Sequence, residues 1–188
     1  QIFPDRFYRV GDKMVKKKGA VYHASWDDPP FYYKDPDTRE IVNYDFYGGN
    51  LQGIIAKLPY IKKMGISVIY LNPIFEAASN HRYDTGDYNK VDPILGSEKD
   101  LRELCEKAKK MGIRIMLDGV FSHTGDDSVY FNRYGRYDSV GAYQSKESPY
   151  FSWYNFREYP NKYESWWGFH TLPNITEETP SYMDFIIN

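Results

Sequence analysis

Two polar side chains, Asp118 and His123, follow a short apolar run at residues 113–117 of this 188-residue sequence. A carboxylate accepts hydrogen bonds, and an imidazole can both donate and accept them, so the pair could hold a polar ligand in one orientation. An aspartate at a strand end with a histidine nearby also occurs for purely structural reasons in many parallel-sheet proteins. Taken alone, the two residues leave both interpretations open.

A second polar cluster, His81, Tyr83 and Asp84, follows another apolar run at residues 66–71. The chain is 18% aromatic, with 19 Tyr and 4 Trp. Flat rings with polar rims suit sugars, whose C–H faces stack on aromatics while their hydroxyls take hydrogen bonds. The alternative is that loop-rich segments use these aromatics as small cores of their own.

Both clusters follow a repeated helix-to-strand join. The pentapeptide Lys-Lys-Met-Gly-Ile occurs at residues 62–66 and again at 109–113. Each lysine pair complements the negative end of a helix dipole, and each glycine can take the left-handed conformation that ends a helix. Strands are predicted at 66–71 and 113–117. Two such joins are typical of neighbouring parallel strands, whose carboxyl ends carry the chemistry.

The helices before these joins have their own sequence signals. Asn50 is a predicted N-cap, and Pro59 is expected to kink or split the helix that follows it. Ser97 and Asp100 resemble a capping box at the start of the second helix. The single cysteine, Cys105, is predicted on the apolar face of that helix as a core residue, so no disulfide framework is expected.

Composition limits the classes of function. The chain is 41% hydrophobic and carries a formal net charge of −2, so it can bury a core and has no overall field that would attract nucleic acid or an anionic membrane. We therefore expect neither of these partners. No apolar stretch approaches the roughly 20 residues of a transmembrane helix.

The chain starts on Gln1, in what reads as the tail of a strand, and we expect it to be part of a longer protein. Residues 124–176 follow neither helical nor strand periodicity for long, which indicates a functional insertion or a small subdomain. An amphipathic piece at 182–187 follows Pro180. The sequence leaves the cellular compartment open, cytoplasmic or secreted.

Several motifs in order along the chain resemble the α-amylase family of glycoside hydrolases, and within it the neopullulanase, cyclomaltodextrinase and amylopullulanase-like members. They are Gln-Ile-Phe-Pro-Asp-Arg-Phe at 1–7, Phe-Tyr-Gly-Gly-Asn-Leu at 46–51, Leu-Asn-Pro-Ile-Phe at 71–75, Asn-His-Arg-Tyr-Asp-Thr-Gly-Asp-Tyr at 80–88, Leu-Asp-Gly-Val-Phe-Ser-His at 117–123 and Tyr-Glu-Ser-Trp-Trp-Gly-Phe at 163–169. The resemblance spans nearly the whole chain.

The resemblance implies an α/β fold, a partial (β/α)8 TIM barrel of about strands one to three with a loop-rich domain B inserted after strand three. Residues 1–123 would be the N-terminal part of the barrel, residues 124–176 domain B, and residues 177–188 the start of the next barrel helix. A complete barrel typically takes about 250 residues.

The resemblance also implies site roles. His123 would hydrogen-bond the sugar in the subsite where cleavage occurs, and Tyr83 would stack on that same sugar, with His81 beside it. Asp118 and Asp84 would support the site structurally. The partner implied is an α-glucan oligosaccharide or polysaccharide.

No residue of this chain is expected to break the bond. Retaining glycosidases use two carboxyl groups about 5–5.5 Å apart, and in the family both come from strands four and five. The parent protein would hydrolyse α-glucosidic bonds in starch, pullulan or cyclodextrins with retention. The isolated chain should be inactive, and its open strand edges should favour self-association.

No cofactor or metal is expected. Classical amylases have an asparagine calcium ligand where this chain has Ser122, and neopullulanase-like members build a second calcium site with an aspartate where it has Asn50. Calcium prefers several carboxylate or carbonyl oxygens, so both departures weaken such a site.

Two alternative hypotheses stand beside that of an enzyme of the α-amylase family. A non-catalytic carbohydrate-binding or transporter-associated protein could keep the fold and lose the carboxylates. An unrelated flavodoxin-like domain would share the helix-to-strand joins, but the sequence has no glycine-rich phosphate loop after a strand.

Overall fold

The chain divides into two compact units. The computed structural model describes residues 1–11, 15–17, 19–34, 41–42 and 44–188. The first unit comprises Gln1–Arg82 and Asn89–Asp118, and the second comprises Tyr83–Tyr88 and Gly119–Asn188.

The described elements are three helices, ten short strands and three turns of 3-10 helix. In chain order they are a 3-10 turn at Pro4–Arg6, β1 Val21–Tyr22, β2 Tyr33–Lys34, β3 Ile41–Val42, β4 Asp45–Phe46, α1 Leu51–Lys63, β5 Val68–Leu71, β6 Phe75–Ala77, β7 Thr85–Val91, α2 Glu98–Lys110, β8 Arg114–Leu117, a 3-10 turn at Phe151–Trp153, β9 Phe156–Glu158, β10 Lys162–Tyr163, a 3-10 turn at Trp166–Gly168 and α3 Pro180–Ile187.

The predicted pair of neighbouring parallel strands is confirmed. β5 and β8 pair in parallel, with Val68 opposite Arg114 and Leu71 opposite Leu117. Gly65 and Gly112, just after α1 and α2, have φ of 79° and 69°. Only glycine adopts this left-handed conformation without strain, so the repeated pentapeptide ends each helix in the same way.

A third parallel segment lies on the other side of β5. Ile2 forms a parallel bridge with Leu71. Its backbone N–H donates to the Tyr70 carbonyl at 2.8 Å, and the Asn72 N–H donates back to the Ile2 carbonyl at 3.0 Å. The predicted strand tail at the start of the chain therefore pairs with β5, giving the order Ile2, β5, β8.

The predicted helix starts are confirmed as well. The Asn50 side chain accepts a hydrogen bond from the Gly53 N–H at 2.7 Å at the start of α1. Ser97 and Asp100 form both halves of a capping box, with the Ser97 N–H donating to Asp100 Oδ2 at 2.8 Å. Pro59 lies inside α1, which stays one continuous element, so of the two predicted alternatives, a kink or a split, the split does not occur.

The core of the first unit lies between the two helices and the parallel strands. Its buried apolar residues are Ile2, Leu51, Ile54, Ile55, Leu58, Ile61, Ile69, Leu71, Ile74, Val91, Leu95, Leu104, Ala108 and Ile113. The prediction that Cys105 joins this core is wrong, because the cysteine is exposed. The buried stripe of α2 follows Leu104 and Ala108, and the residue after Leu104 is rotated about 100° away from that stripe.

A group of buried charges lies beside this core. Arg82 and Asp92 are both fully buried, and Arg82 Nε lies 3.1 Å from Asp92 Oδ2. Lys17 Nζ lies 2.8 Å from the same oxygen, and Arg82 Nη1 donates to the Asn80 carbonyl at 2.7 Å. Arg82 has a φ of 62°, which is rare for a residue with a side chain.

The second unit has an aromatic core. Tyr130 contacts four other rings with centroids 5.2–5.6 Å away, namely Tyr88, Tyr150, Trp153 and Phe185. Phe131 and Tyr154, whose ring centroids are 4.8 Å apart, are also buried. These aromatics therefore form a core of the unit's own, as in the plainer of the two interpretations that the composition allowed.

The boundary between the units differs from the predicted domain limits. It falls between Asp118 and Gly119, where a border after His123 was predicted, and the second unit also takes in Tyr83–Tyr88 and α3. The difference arises because the residues after β8 form hydrogen bonds with Tyr83–Tyr88.

Among the residues that the structure describes, no helix is long and apolar enough to span a bilayer.

Candidate functional site

The second unit brings Tyr83 and His123 together. His123 Nε2 lies 3.1 Å from the Tyr83 carbonyl oxygen. A carbonyl oxygen can only accept, so Nε2 carries the proton and donates it. In the neutral ring Nδ1 is then an acceptor, and the Ser122 hydroxyl, 3.1 Å from Nδ1, donates to it. The imidazole therefore fixes the backbone of the residue that carries the candidate stacking ring.

His123 is neutral at pH 7. Burial lowers its pKa, and this effect outweighs the opposing influences of the Tyr83 carbonyl and the Asp84 carboxylate, so the pKa lies below its ordinary value. A neutral imidazole offers one donor and one acceptor. At this position the neutral imidazole can orient an uncharged hydroxyl without adding a positive charge next to the Asp84 carboxylate.

The segment carrying Tyr83 and Asp84 is held along its length by the residues after Gly119. The Gly125 N–H donates to the Thr85 carbonyl at 2.9 Å. A Cβ on Gly125 would lie 2.9 Å from the Asp84 carbonyl oxygen, so this close approach needs glycine. The Tyr130 hydroxyl caps the segment by accepting from the Tyr88 N–H at 3.0 Å.

The first unit contains the other two predicted residues, Asp118 and His81. Asp118 follows β8, and its N–H donates to the Leu71 carbonyl at 3.1 Å. Its carboxylate accepts a hydrogen bond from the Tyr70 hydroxyl, and this bond raises the pKa of Tyr70. Asp118 thus links β8 to β5. His81 is half-buried, with Nδ1 3.1 Å from Ser79 Oγ.

Of the predicted site residues, the structure brings Tyr83, Asp84 and His123 together in one unit. Asp118 and His81 belong to the other unit. Sequence reasoning missed Trp166, whose ring centroid lies 5.4 Å from that of His123. The signal was present in the quoted motif at 163–169, but nothing in the sequence distinguished this tryptophan from the buried Trp153.

The two positions at which the family's calcium sites were considered have structural roles here. Asn50 Oδ1 caps α1, and its Nδ2 donates to the Val10 carbonyl at 2.9 Å. The Ser122 hydroxyl donates to His123. Across the described ranges, no three His, Cys, Asp or Glu side chains form a group that could hold a metal. These residues do not fit calcium, and no step proposed below uses a metal.

Asp126, three residues after His123, has an unusual carboxyl group. Burial, followed by the charge of Asp127, raises its pKa to about 7, although Tyr134 and Arg133 oppose the shift. The Tyr134 hydroxyl donates to Asp126 Oδ2 at 3.0 Å, and Arg133 Nη1 lies 3.3 Å from the same oxygen. The folded chain therefore holds a proton that the unfolded chain releases near pH 4.

This linkage predicts how stability depends on pH. Because the folded state binds more protons between about pH 4 and 7, the contribution of Asp126 to stability falls as the pH rises through that window. Asp126→Asn should increase the free energy of unfolding by about 1–2 kcal/mol at pH 8, since the amide still accepts from Tyr134 but carries no buried charge. At pH 5 it should change it by less than about 0.5 kcal/mol.

Thermal denaturation at the two pH values checks this prediction. Asp138→Asn, the same change at an exposed position, controls for the loss of a charge. An Asp126→Asn variant that follows the wild-type pH profile would show that Asp126 is ionised throughout.

The fold and the site define a class of protein. Residues 1–183 match the α-amylase catalytic domain family, and the chain belongs to that family. The parallel strand order and the motifs that carry Tyr83 and His123 agree with this assignment. The flavodoxin-like alternative is wrong.

Curated relatives within the family are enzymes named for their action on α-glucans. An amylopullulanase from Thermoanaerobacterium saccharolyticum is 46% identical over 176 residues, which cover 82% of this chain and 13% of the relative. A cyclomaltodextrinase from Geobacillus thermopakistaniensis strain MAS1 is 39% identical over 160 residues, covering 85% of this chain and 24% of the relative. The chain thus spans a quarter or less of the length of these relatives.

The fold agrees with that of solved family members. A cyclic α-maltosyl-(1→6)-maltose hydrolase from Arthrobacter globiformis matches with a TM-score of 0.79 and 30% identity, covering 98% of this chain and 38% of that one. The type III pullulan hydrolase from Thermococcus kodakarensis matches with a TM-score of 0.78 and 29% identity, covering 98% and 33%. At this coarse level the predicted fold class is confirmed.

Proposed function

We propose that this chain is part of the catalytic domain of a glycoside hydrolase that cleaves α-glucosidic bonds in starch, pullulan or cyclodextrins with retention of configuration. The family match over residues 1–183 carries the proposal. Relatives named amylopullulanase and cyclomaltodextrinase support the substrate class. No observation favours the non-catalytic alternative.

Within this proposal, the chain forms barrel strands one to three. Ile2, β5 and β8 are their counterparts in the described structure, in the parallel order that a barrel requires. Residues 124–176 are domain B, and residues 177–188, which include all of α3, begin the next barrel helix.

Tyr83 and His123 hold one glucose ring. The Tyr83 ring supplies the flat apolar face, and the imidazole supplies the directional hydrogen bond. The role of His81 stays a prediction. Of the two imidazole nitrogens, Nδ1 is the one that can accept a hydrogen bond from substrate, because the Ser122 hydroxyl can rotate away from it. Nε2–H is committed to a backbone carbonyl. His123 therefore accepts from a sugar hydroxyl while it keeps Tyr83 in place.

Asp84 and Asp118 support the site without touching substrate. The Asp84 carboxylate acts electrostatically on His123 and raises its pKa, although burial prevails. Asp118 ties the ends of β5 and β8 together through Tyr70. Two carboxyl groups that act as nucleophile and acid/base are required for retention, and we place them outside residues 1–188.

This proposal predicts that the purified 188-residue chain releases no reducing sugar from soluble starch or pullulan. Positioning of the sugar cannot replace a nucleophile and an acid/base, which the retaining mechanism requires. The full-length protein, assayed in parallel, should release reducing sugar from at least one of these glucans. Turnover by the isolated chain above the buffer rate would place the catalytic carboxylates inside it, and an inactive full-length protein would contradict the proposed function.

A further inference from the structure

One tryptophan of the second unit lies outside the aromatic core. The Trp167 side chain is 84% exposed, although neighbouring aromatics such as Trp153 are buried. Its ring stacks on that of Trp166, with centroids 4.8 Å apart and planes 4° apart. One face of the Trp167 indole is therefore covered by Trp166, and the other is open to solvent.

The backbone holds this ring outward at a conformational cost. Trp167 has φ 51° and ψ 24°, the left-handed region that side-chain-bearing residues rarely adopt. Gly168 follows with a φ of 84°, and a Cβ built on it meets no atom within 4 Å. Strain of this kind persists where the surrounding structure enforces it, and it is concentrated at functional sites.

The loop around Trp167 is closed by backbone hydrogen bonds. The Trp166 N–H donates to the Leu172 carbonyl at 2.9 Å, and the Leu172 N–H donates to the Phe169 carbonyl at 2.9 Å. The Phe169 ring, 48% exposed, lies 6.3 Å from Trp166 at 27°. The backbone that carries the indole is thus held before any ligand arrives, which lowers the entropic cost of binding.

The row of rings continues to the candidate sugar site through a tilted contact, with the Trp166 and His123 planes 41° apart. The Trp166 centroid lies 5.4 Å from His123, so His123, Trp166 and Trp167 form one continuous row of rings within the second unit. The open surface at its end is about one indole wide. That is far below the roughly 1,200 Å² of a stable protein interface, but it matches one pyranose ring.

We propose that the exposed face of Trp167 is a stacking subsite for a glucose unit of an α-glucan chain, a few units along that chain from the unit held by Tyr83 and His123. This inference rests on the proposed function and extends it to a second sugar position. The occupant is an uncharged glucosyl unit, because the exposed face is a bare aromatic surface at the end of the row that leads to the sugar-contacting histidine.

The first test is a substrate series in the full-length protein. Initial rates with maltotriose through maltoheptaose give kcat/KM for wild type, Trp167→Ala, Trp167→Phe and Tyr60→Ala. Alanine has the same left-handed cost as tryptophan, so Trp167→Ala removes the ring without relieving the backbone. Tyr60, 60% exposed on α1, is the control for loss of an exposed aromatic.

We expect Trp167→Ala to lower kcat/KM about tenfold for maltoheptaose and progressively less for shorter chains. The kcat/KM of Trp167→Phe should stay within about threefold of the wild-type value at every chain length. The kcat/KM of Tyr60→Ala should equal the wild-type value. A Trp167→Ala variant that equals wild type at every length, or that loses activity equally at every length, overturns the subsite. A wild-type protein that cleaves none of the series overturns the proposed function and the subsite with it.

A second test uses the unaltered protein, so it does not depend on a variant's folding. N-bromosuccinimide oxidises exposed indoles, and peptide mass spectrometry reports the oxidised fraction of Trp167. A thio-linked maltoheptaose, which a glycosidase cannot hydrolyse, should at a saturating concentration protect Trp167 at least fivefold, while Trp26, 43% exposed in the first unit, should be oxidised at an unchanged rate. Equal oxidation of Trp167 with and without the oligosaccharide overturns the proposal.

Discussion

Replacing Asp92 by alanine is expected to lower the free energy of unfolding by about 3–5 kcal/mol. The carboxylate is fully buried and lies 2.8 Å from Lys17 Nζ and 3.1 Å from Arg82 Nε. Arg82 is itself fully buried. Without Asp92 the buried guanidinium of Arg82 would lose the carboxylate that lies 3.1 Å from its Nε. Loss of the partner of a buried charge is among the most destabilising changes that a single substitution can make.

The comparison needs two further variants. Asp27→Ala removes an exposed carboxylate and should change stability by less than about 0.5 kcal/mol. Arg82→Met combined with Asp92→Leu removes both fully buried charges and should recover part of the loss, because the remaining partner, Lys17, is partly exposed and can reach water. Denaturant unfolding at pH 7 measures all three. An Asp92→Ala variant within about 1 kcal/mol of wild type would show that the pair is solvated.

The same pair has a pH signature. Burial alone would raise the pKa of Asp92, but Arg82 and Lys17 outweigh it and hold the pKa below its ordinary value. A lowered pKa contributes stability that is present above about pH 4 and is lost as the pH falls through the folded-state value. The difference between wild type and Asp92→Ala should therefore shrink in acid.

Replacing Tyr83 or His123 by alanine in the full-length protein should reduce kcat/KM on the preferred glucan roughly 30- to 1,000-fold. This corresponds to a rise of about 2–4 kcal/mol in the activation free energy. Tyr83→Ala removes the face on which the reacting sugar stacks. His123→Ala removes the hydrogen bond to the sugar and also leaves the Tyr83 carbonyl without the donor now 3.1 Å away. Both losses fall on the transition state, because both contacts hold the ring that reacts.

Matched variants separate this role from a structural one. Tyr83→Phe keeps the ring and should retain most of the activity. His170→Ala changes an exposed histidine of the same unit and should match wild type. If His123→Ala lowers the melting temperature but leaves kcat/KM unchanged, the residue only supports the fold, which is the alternative that the sequence left open.

Local signals made much of the first unit predictable. Asn50, Ser97 and Asp100 act on groups within three residues of themselves, so helix starts could be read without knowing the tertiary fold. Gly65 and Gly112 mark helix ends for a reason local to their own backbone. The parallel pairing of β5 and β8 followed from the repetition of those local signals.

The features that the sequence did not predict depend on tertiary contacts. Cys105 was placed in the core because short helical stripes do not fix the rotation of the helix to within one residue. The Arg82 and Asp92 pair joins positions on either side of β7, and no local rule links them. Trp153 and Trp167 have similar neighbours in sequence, yet one is core and the other is exposed. That difference depends on the left-handed turn at Trp167.

The most direct test of the proposed sugar site is a crystal structure of the full-length protein with a thio-linked maltotetraose, which a glycosidase cannot hydrolyse. We expect one pyranose ring to lie face to face with the Tyr83 ring at about 3.5–4 Å. One of its hydroxyls should lie within hydrogen-bond distance of His123 Nδ1. Bound oligosaccharide with no ring in contact with either Tyr83 or His123 would contradict the account.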